Sequence, residues 1–350
     1  MAHTIVVPGL VDMHVHFREP GGEHKEDIKS GSRAAARGGY TAVCCMPNTI
    51  PVTDSKETVK FVANKGKESG LVNLHIAGAL SKGQKGQALA DYEVLLKAGV
   101  CMLSDDGKTL WNGELMRRAA QCAKALGLMI SDHAESPSGS EAEIVARDIA
   151  LAGEIGCRMH LQHISTKASL ALIREAKRAG ISVTCETAPH YFTLTKDALL
   201  KSGANAKMNP PLGSESDRQA VIEAIQDGTV DVIATDHAPH SAEEKARQLD
   251  KAPFGIVGLE TAFAVSYTTL VRPGHITLQK LIQLMSINPA KLMNIKCGGY
   301  TVFEIGTPYI IDSGKFLSKS RNTPFNGMEV YGRTVLTVCN GKTTWEEGWE

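Results

Sequence analysis

Short apolar runs rich in β-branched residues alternate with helical patterns along most of this chain, and that alternation constrains the fold most strongly. "TAVCCM" leads to "DSKETVKFVANKGKESG", "VNLHIAG" to "ADYEVLLKAG", "VCMLSD" to "GELMRRAAQCAKALG", and "LMISDH" to "SEAEIVARDIALAGEIG". "RMHLQHI" is followed by "TKASLALIREAKRAG", then come "ISVTCET", "DRQAVIEAIQDG" and "VDVIATDH". With "IVVPGLVDMHVHF" counted first, eight strands are expected. Strand–helix alternation places helices outside a parallel sheet, and eight units allow closure, so the fold class is α/β, a (β/α)8 barrel. Several helical patterns end in Gly ("LKAGV", "ALGLM", "RAGIS", "QDGTV"), where a C-terminal cap belongs.

A chain of 350 residues holds one such barrel and a little more. Past about residue 295 the texture becomes strand-like with Gly and Pro punctuation, from "GGYTVFEIGTPYIIDSG" onward. Residues 1–295 are therefore expected to form the barrel, and 296–350 a small β appendage packing on it. The 38 basic and 38 acidic side chains cancel, which leaves no bulk field for nucleic acid or an anionic membrane surface and makes a small molecule the expected partner. Eight cysteines include no C-x-x-C pair, and Cys44 and Cys45 are adjacent, which disfavours a disulfide framework. No basic-then-apolar signal opens the chain, and no apolar run approaches the ~20 residues of a membrane span. These features point to a reduced, cytoplasmic protein.

In barrel enzymes chemistry sits at the carboxyl ends of the strands, so the residues delivered there matter most. The first run delivers His14, His16 and Arg18, the second Asn48, and the fourth Asp105 and Asp106. The fifth delivers His133, the sixth His163, and the eighth Asp236, with His237 and His240 just beyond. Strand alternation sends His14 and His16 to one face and Met13, Val15 and Phe17 to the other, so two imidazoles converge. His160 stands an odd step from His163 and faces the opposite side. Only one of them can be a ligand, and His163 has the terminal position. One histidine ending a strand is ordinarily structural, and Asp105-Asp106-Gly107 taken alone reads as a turn. Agreement of four strands at one end is not ordinary. Four histidines and two carboxylates exceed the needs of one tetrahedral zinc but suit two close metals sharing a carboxylate and a water, hence a binuclear hydrolase.

The motifs "DMHVHFREPG", "MPNT", "SDDG", "HAE", "HIST", "NPPLG", "TDHAPH" and "PFGIVGLET" resemble the amidohydrolase superfamily, and most closely its bacterial type I dihydroorotases, over nearly the whole chain. The resemblance implies reversible, zinc-dependent closure of N-carbamoyl-L-aspartate to L-dihydroorotate in pyrimidine (UMP) biosynthesis. It implies two zinc ions per chain bridged by Asp106 and a hydroxide, with His14 and His16 on one ion and His133 and His163 on the other. Asp236 becomes a ligand and the general acid/base. Substrate contacts fall on His16, Arg18, Asn48, Asn209, His240, Phe254 and Gly255; Asn209 also precedes a Pro-Pro turn that it could simply cap. Related hydantoinases and allantoinases bridge their metals with a carboxylated lysine, whereas "VCMLSDDG" has none and offers an aspartate. The resemblance extends to a homodimer and to association with aspartate transcarbamoylase. The alternatives are another cyclic amidase of the hydantoinase or allantoinase kind, or a non-catalytic homologue serving as a structural partner of that transcarbamoylase. The second should have lost ligands, and all six are present here. Three stretches depart from the family pattern: the short segment before the first barrel strand, "HAESPSGSEAE", and "KCGGYTVFEIG".

Overall fold

The computed structural model describes residues 3–136 and 138–348. Residues 1–2 and 349–350, at the margins of the two expected segments, and Pro137, in the short stretch after His133, lie outside the described residues. The first apolar run divides at Gly9 into β1 (Thr4–Pro8) and β2 (Leu10–Val15). Pro8 has no N–H to offer a ladder, and the Gly9 N–H turns to the Gly299 carbonyl at 2.9 Å. A Cβ on Gly9 would sit 2.2 Å from Thr41 side-chain atoms, so only glycine fits where the chain crosses the next strand.

β2 opens a parallel sheet that continues through β3 (Tyr40–Cys45), β4 (Asn73–Gly78), β5 (Met102–Leu103), β6 (Met129–Asp132), β7 (Arg158–Leu161), β8 (Val183–Thr187) and β9 (Val232–Ile233). These eight strands lie in sequence order. A parallel bridge between Val15 and His237, with the His16 N–H donating to the His237 carbonyl at 2.9 Å, closes the ring. The helices Ile28–Arg37, Lys56–Ser69, Tyr92–Ala98, Gly113–Ala125, Glu141–Ile155, Lys167–Arg178 and Glu215–Asp227 fall between successive strands. The expected caps at Gly99, Gly127, Gly180 and Gly228 all have positive φ, from 70° to 108°.

Inside the barrel, Val11, Met13, Ala42, Cys44, Met46, Ala77, Met102 and Met129 form a buried plug beneath the carboxyl ends of the strands. One detail differs from strict alternation. The register of β2 against β3 shifts between Asp12 and Val15, so Met13 packs in the plug while Val15 and Phe17 join the core between barrel and helices. A bulge of this kind re-aims side chains next to active sites.

β10 (Gly299–Glu304), β11 (Tyr309–Ile310), β12 (Glu329–Val330), β13 (Arg333–Cys339) and β14 (Lys342–Glu346) complete the strands. The small antiparallel sheet has the order β1-β10-β13-β14. The expected boundary at residue 295 therefore does not describe this sheet: β1, from the far side of the barrel sequence, pairs with β10 from Thr4–Glu304 to Pro8–Tyr300. Among the described residues, no helix is long and apolar enough to cross a membrane.

Candidate metal centre and active site

The carboxyl end of β2 places His14 and His16 around the Asp106 carboxylate, which follows β5. His14 Nε2 is 3.2 Å from Asp106 Oδ1, and His16 Nε2 is 3.3 Å from Asp106 Oδ2. Asp236, beyond β9, brings Oδ1 to 3.1 Å from His16 Nε2 and 3.6 Å from His14 Nε2. From β6 and β7 come His133 and His163, with Nδ1 and Nε2 respectively 2.8 Å apart and 3.7 and 3.8 Å from Asp106 Oδ1. All six expected ligands thus converge, with Asp106 rather than Asp105 at the centre. Asp105 instead turns away and accepts the N–H groups of Leu80 and Ser81 at 2.9 and 3.1 Å. His163 and Asp236 hold left-handed backbone, φ 33° and 47°, as does Arg18 at 61°. Non-glycine residues persist in such strain chiefly where surrounding structure and function demand it.

Beneath this cluster lies a polar layer that strand-end reasoning passed over. Glu186 on β8 accepts from His14 Nδ1 at 2.6 Å through Oε1, and its Oε2 lies 3.2 Å from His160 Nε2. His160 is thereby accounted for: it faces Glu186 and Thr184, not the cluster. Asp12 accepts the His14 N–H at 3.0 Å and the Thr235 N–H at 3.2 Å, tying β2 to the segment after β9. Burial pushes its carboxyl up to about 7, against those hydrogen bonds. The available signals were a glutamate near the end of "ISVTCET" and the spacing Asp12, His14, His16.

Electrostatics supports a cation here. Burial alone would raise the Asp106 pKa, but His14, His16 and His133 hold its carboxyl well below the ordinary range. Conversely, burial would depress His14, yet Asp106 and Glu186 raise it well above 6.5. His133 is likewise raised to about 9, against burial, by Asp106 and Glu135. Carboxylates this close and this dry require positive charge, supplied either by protons on imidazoles or by a metal. His14 Nε2 and His163 Nδ1 are buried with no hydrogen-bond partner among the described residues. Ligand atoms of His14, His16 and Asp236, and those of His14, Asp106 and His163, lie within 4.8 Å of one another. Imidazole and carboxylate donors in this arrangement fit a metal site.

Except for His14, every expected site residue borders a cavity of about 310 Å³ above the cluster. On one wall Arg18 donates from Nε to the Pro239 carbonyl at 3.2 Å, with Nη2 3.4 Å from His240 Nε2. Asn48 lies between His16 Nδ1, 2.9 Å from its Oδ1, and Asp106 Oδ2, 3.4 Å from its Nδ2. Asn209 donates to Glu135 Oε2 at 2.9 Å and sits 3.2 Å from His133 Nε2, so it belongs to the cavity rather than only capping its turn. Phe254 is 52% exposed at the rim under the Lys207 ammonium, and Gly255 adopts φ 125° beside it.

A parallel barrel with a histidine–aspartate metal site at the carboxyl ends of its strands defines a class of hydrolase, and the amidohydrolase family model matches residues 5–344. The chain belongs to the amidohydrolase family. It is 42% identical to a dihydroorotase from Acetivibrio thermocellus over 374 residues, covering 98% of this chain and 88% of that one. It is 45% identical to a dihydroorotase from Citrifermentans bemidjiense over 373 residues, with the same coverage of 98% and 88%. Among solved structures it resembles the L-hydantoinase (dihydropyrimidinase) from Arthrobacter aurescens, with a TM-score of 0.89 and 25% identity, covering 99% of this chain and 86% of that one.

Proposed function

We propose that this chain is a dihydroorotase that interconverts N-carbamoyl-L-aspartate and L-dihydroorotate. The observation that carries the reading is a fixed guanidinium, Arg18, in the same cavity as the histidine–aspartate cluster. Both the linear and the cyclic substrate carry a carboxylate that takes no part in the reaction, and a hydantoin ring without that group has no use for such a cation. Identities of 42% and 45% to dihydroorotases over nearly the whole chain support the same choice.

In this reading His14, His16 and Asp236 would hold one zinc ion, His133 and His163 a second, and Asp106 would face both. When bound, such a pair polarises an amide carbonyl and supplies hydroxide at neutral pH. Asp236 takes the proton of the attacking water and returns it to the leaving ring nitrogen, and synthesis runs in reverse. Arg18 grips the substrate carboxylate through its planar fork, with Asn209, His240 and the backbone at Gly255 completing the frame. Asn48 and Glu186 hold His16 and His14 by the ring nitrogen turned away from the ion. That fixes which nitrogen ligates. We place the reaction in the cytoplasm, in keeping with eight free cysteines. Leu249 and Phe254, both partly exposed and lining one apolar recess beside the cavity rim, offer a surface for association with a second copy or with aspartate transcarbamoylase.

Metal analysis together with a dihydroorotate hydrolysis assay tests the reading, with about two zinc ions per chain expected. Charged hydrogen bonds contribute ~1.5–3 kcal/mol each, so Arg18→Met should cut kcat/KM for dihydroorotate by about 10- to 10³-fold with zinc content unchanged. If wild type hydrolyses hydantoin or dihydrouracil as well as dihydroorotate, and Arg18→Met affects all equally, the substrate assignment fails.

A further inference from the structure

The segment 317–323, between the two strands of the small β11–β12 pair, leaves the appendage and reaches the rim of the metal cavity, although the sequence reading gave it no role. Its Leu317 and Ser318 N–H groups donate to Glu260 at 2.9 and 3.1 Å, and the Lys319 N–H donates to Glu26 at 3.1 Å. At its tip Asn322 is 3% exposed. Asn322 Oδ1 accepts the His240 N–H at 3.1 Å, while Nδ2 donates to the carbonyls of Ala238 at 3.1 Å and Gly255 at 3.0 Å. Its own carbonyl accepts the Val257 N–H at 2.9 Å. The amide orientation is fixed by these partners, because an N–H must meet the oxygen and two carbonyls must meet the nitrogen.

Two backbone segments, 238–240 and 255–257, are thus registered to one residue. From the cavity side the same strip is held by Arg18, through Pro239 at 3.2 Å and the His240 ring at 3.4 Å. We infer that Asn322 is a positioning residue for substrate-carboxylate recognition: it sets His240 and the Gly255 backbone beside Arg18 from outside the cavity. Resting on the dihydroorotase reading above, this inference makes the appendage a supplier of specificity geometry, not only a cover for the barrel. Asn322 hydrogen-bonds none of the six proposed ligands, so its influence falls on substrate binding and not on the metals. No other short side chain accepts once and donates twice from one planar group.

The test uses the metal-loaded full chain. Asn322→Asp keeps the shape but loses both donors and sets a carboxylate against two carbonyls. Asn322→Ser is a milder second variant, included in case the first does not fold. Each lost or reversed bond at a charged-substrate site is worth about tenfold, so KM for dihydroorotate should rise ~10-fold or more, with kcat within roughly threefold of wild type. Zinc content should stay at the wild-type level. A purely structural tie would lower the melting temperature and leave KM alone, and that result overturns the inference. So does a loss of kcat with loss of metal at unchanged KM. Both outcomes leave wild-type dihydroorotate turnover intact and the functional reading standing; absence of that turnover in wild type removes the reading, and the inference with it.

Discussion

Asp236 illustrates how much a single position carries: it faces two histidines, is buried, and holds φ at 47°. Asparagine tolerates the left-handed region better than most residues, so Asp236→Asn keeps the backbone and the shape while removing the proton acceptor. General-base catalysis contributes ~10²–10⁴-fold, and turnover should fall by at least that much with part of the metal retained. Near-normal turnover would assign the proton elsewhere. Glu186 makes the complementary case, since its carboxylate serves His14 at 2.6 Å and His160 at 3.2 Å at once. In Glu186→Gln one of the two imidazoles meets an amide nitrogen, so zinc affinity should drop about 10–100-fold, read by chelator competition. Affinity within error of wild type would remove Glu186 from the metal site. The cluster residues were legible in sequence because rare ligand types end successive strands. Asp12, Glu186 and Asn322 were not, because their meaning lies in partners on other strands or loops.

Strand identity was readable at the scale of elements because a buried parallel strand is a short, continuous apolar run bounded by turn residues. All eight barrel strands coincide with the quoted runs, β3 starting one residue early at Tyr40, although β5 and β9 shrink to two paired residues each. Two features were hidden by the same logic. Periodicity cannot show a bulge, so Met13 was assigned to the wrong face, and it cannot show that Pro8-Gly9 hands one run to two sheets. Loop geometry is equally silent in sequence, and Gly255 shows its consequence. A Cβ there would lie 2.7 Å from the Ala238 Cβ and 2.9 Å from the Ala238 carbonyl, at φ 125°. Gly255→Ala must therefore move the rim loop to relieve ~1–3 kcal/mol of strain, and kcat/KM for dihydroorotate should fall by about 10- to 100-fold. Wild-type kcat/KM in that variant would show the rim to be plastic and not part of the substrate frame.

Stability belongs to the whole molecule, and here the barrel and appendage share one set of ties. β1 enters the small sheet from before the barrel, and the buried Glu26 carboxylate holds Lys319 while lying 3.4 Å from His237 Nε2. Unfolding is therefore expected to be a joint event, and a titrating group inside the barrel should register in the global melting transition. His190, in the helical turn Pro189–Thr193 after β8, is such a group: it is buried, and its Nε2 has no hydrogen-bond partner among the described residues. Burial is the dominant cause that pushes its pKa down to about 4 from 6.5. Between those values the unfolded chain binds the proton and the folded one does not, so stability is full above the upper value and falls as the pH drops through the window. One proton corresponds to about 1.4 kcal/mol per pH unit at most. His190→Leu removes this proton, and its melting temperature should decline less steeply than that of wild type between pH 6.5 and pH 4. Parallel declines in the two proteins would mean that His190 is protonated, or relieved by local opening, before the molecule unfolds.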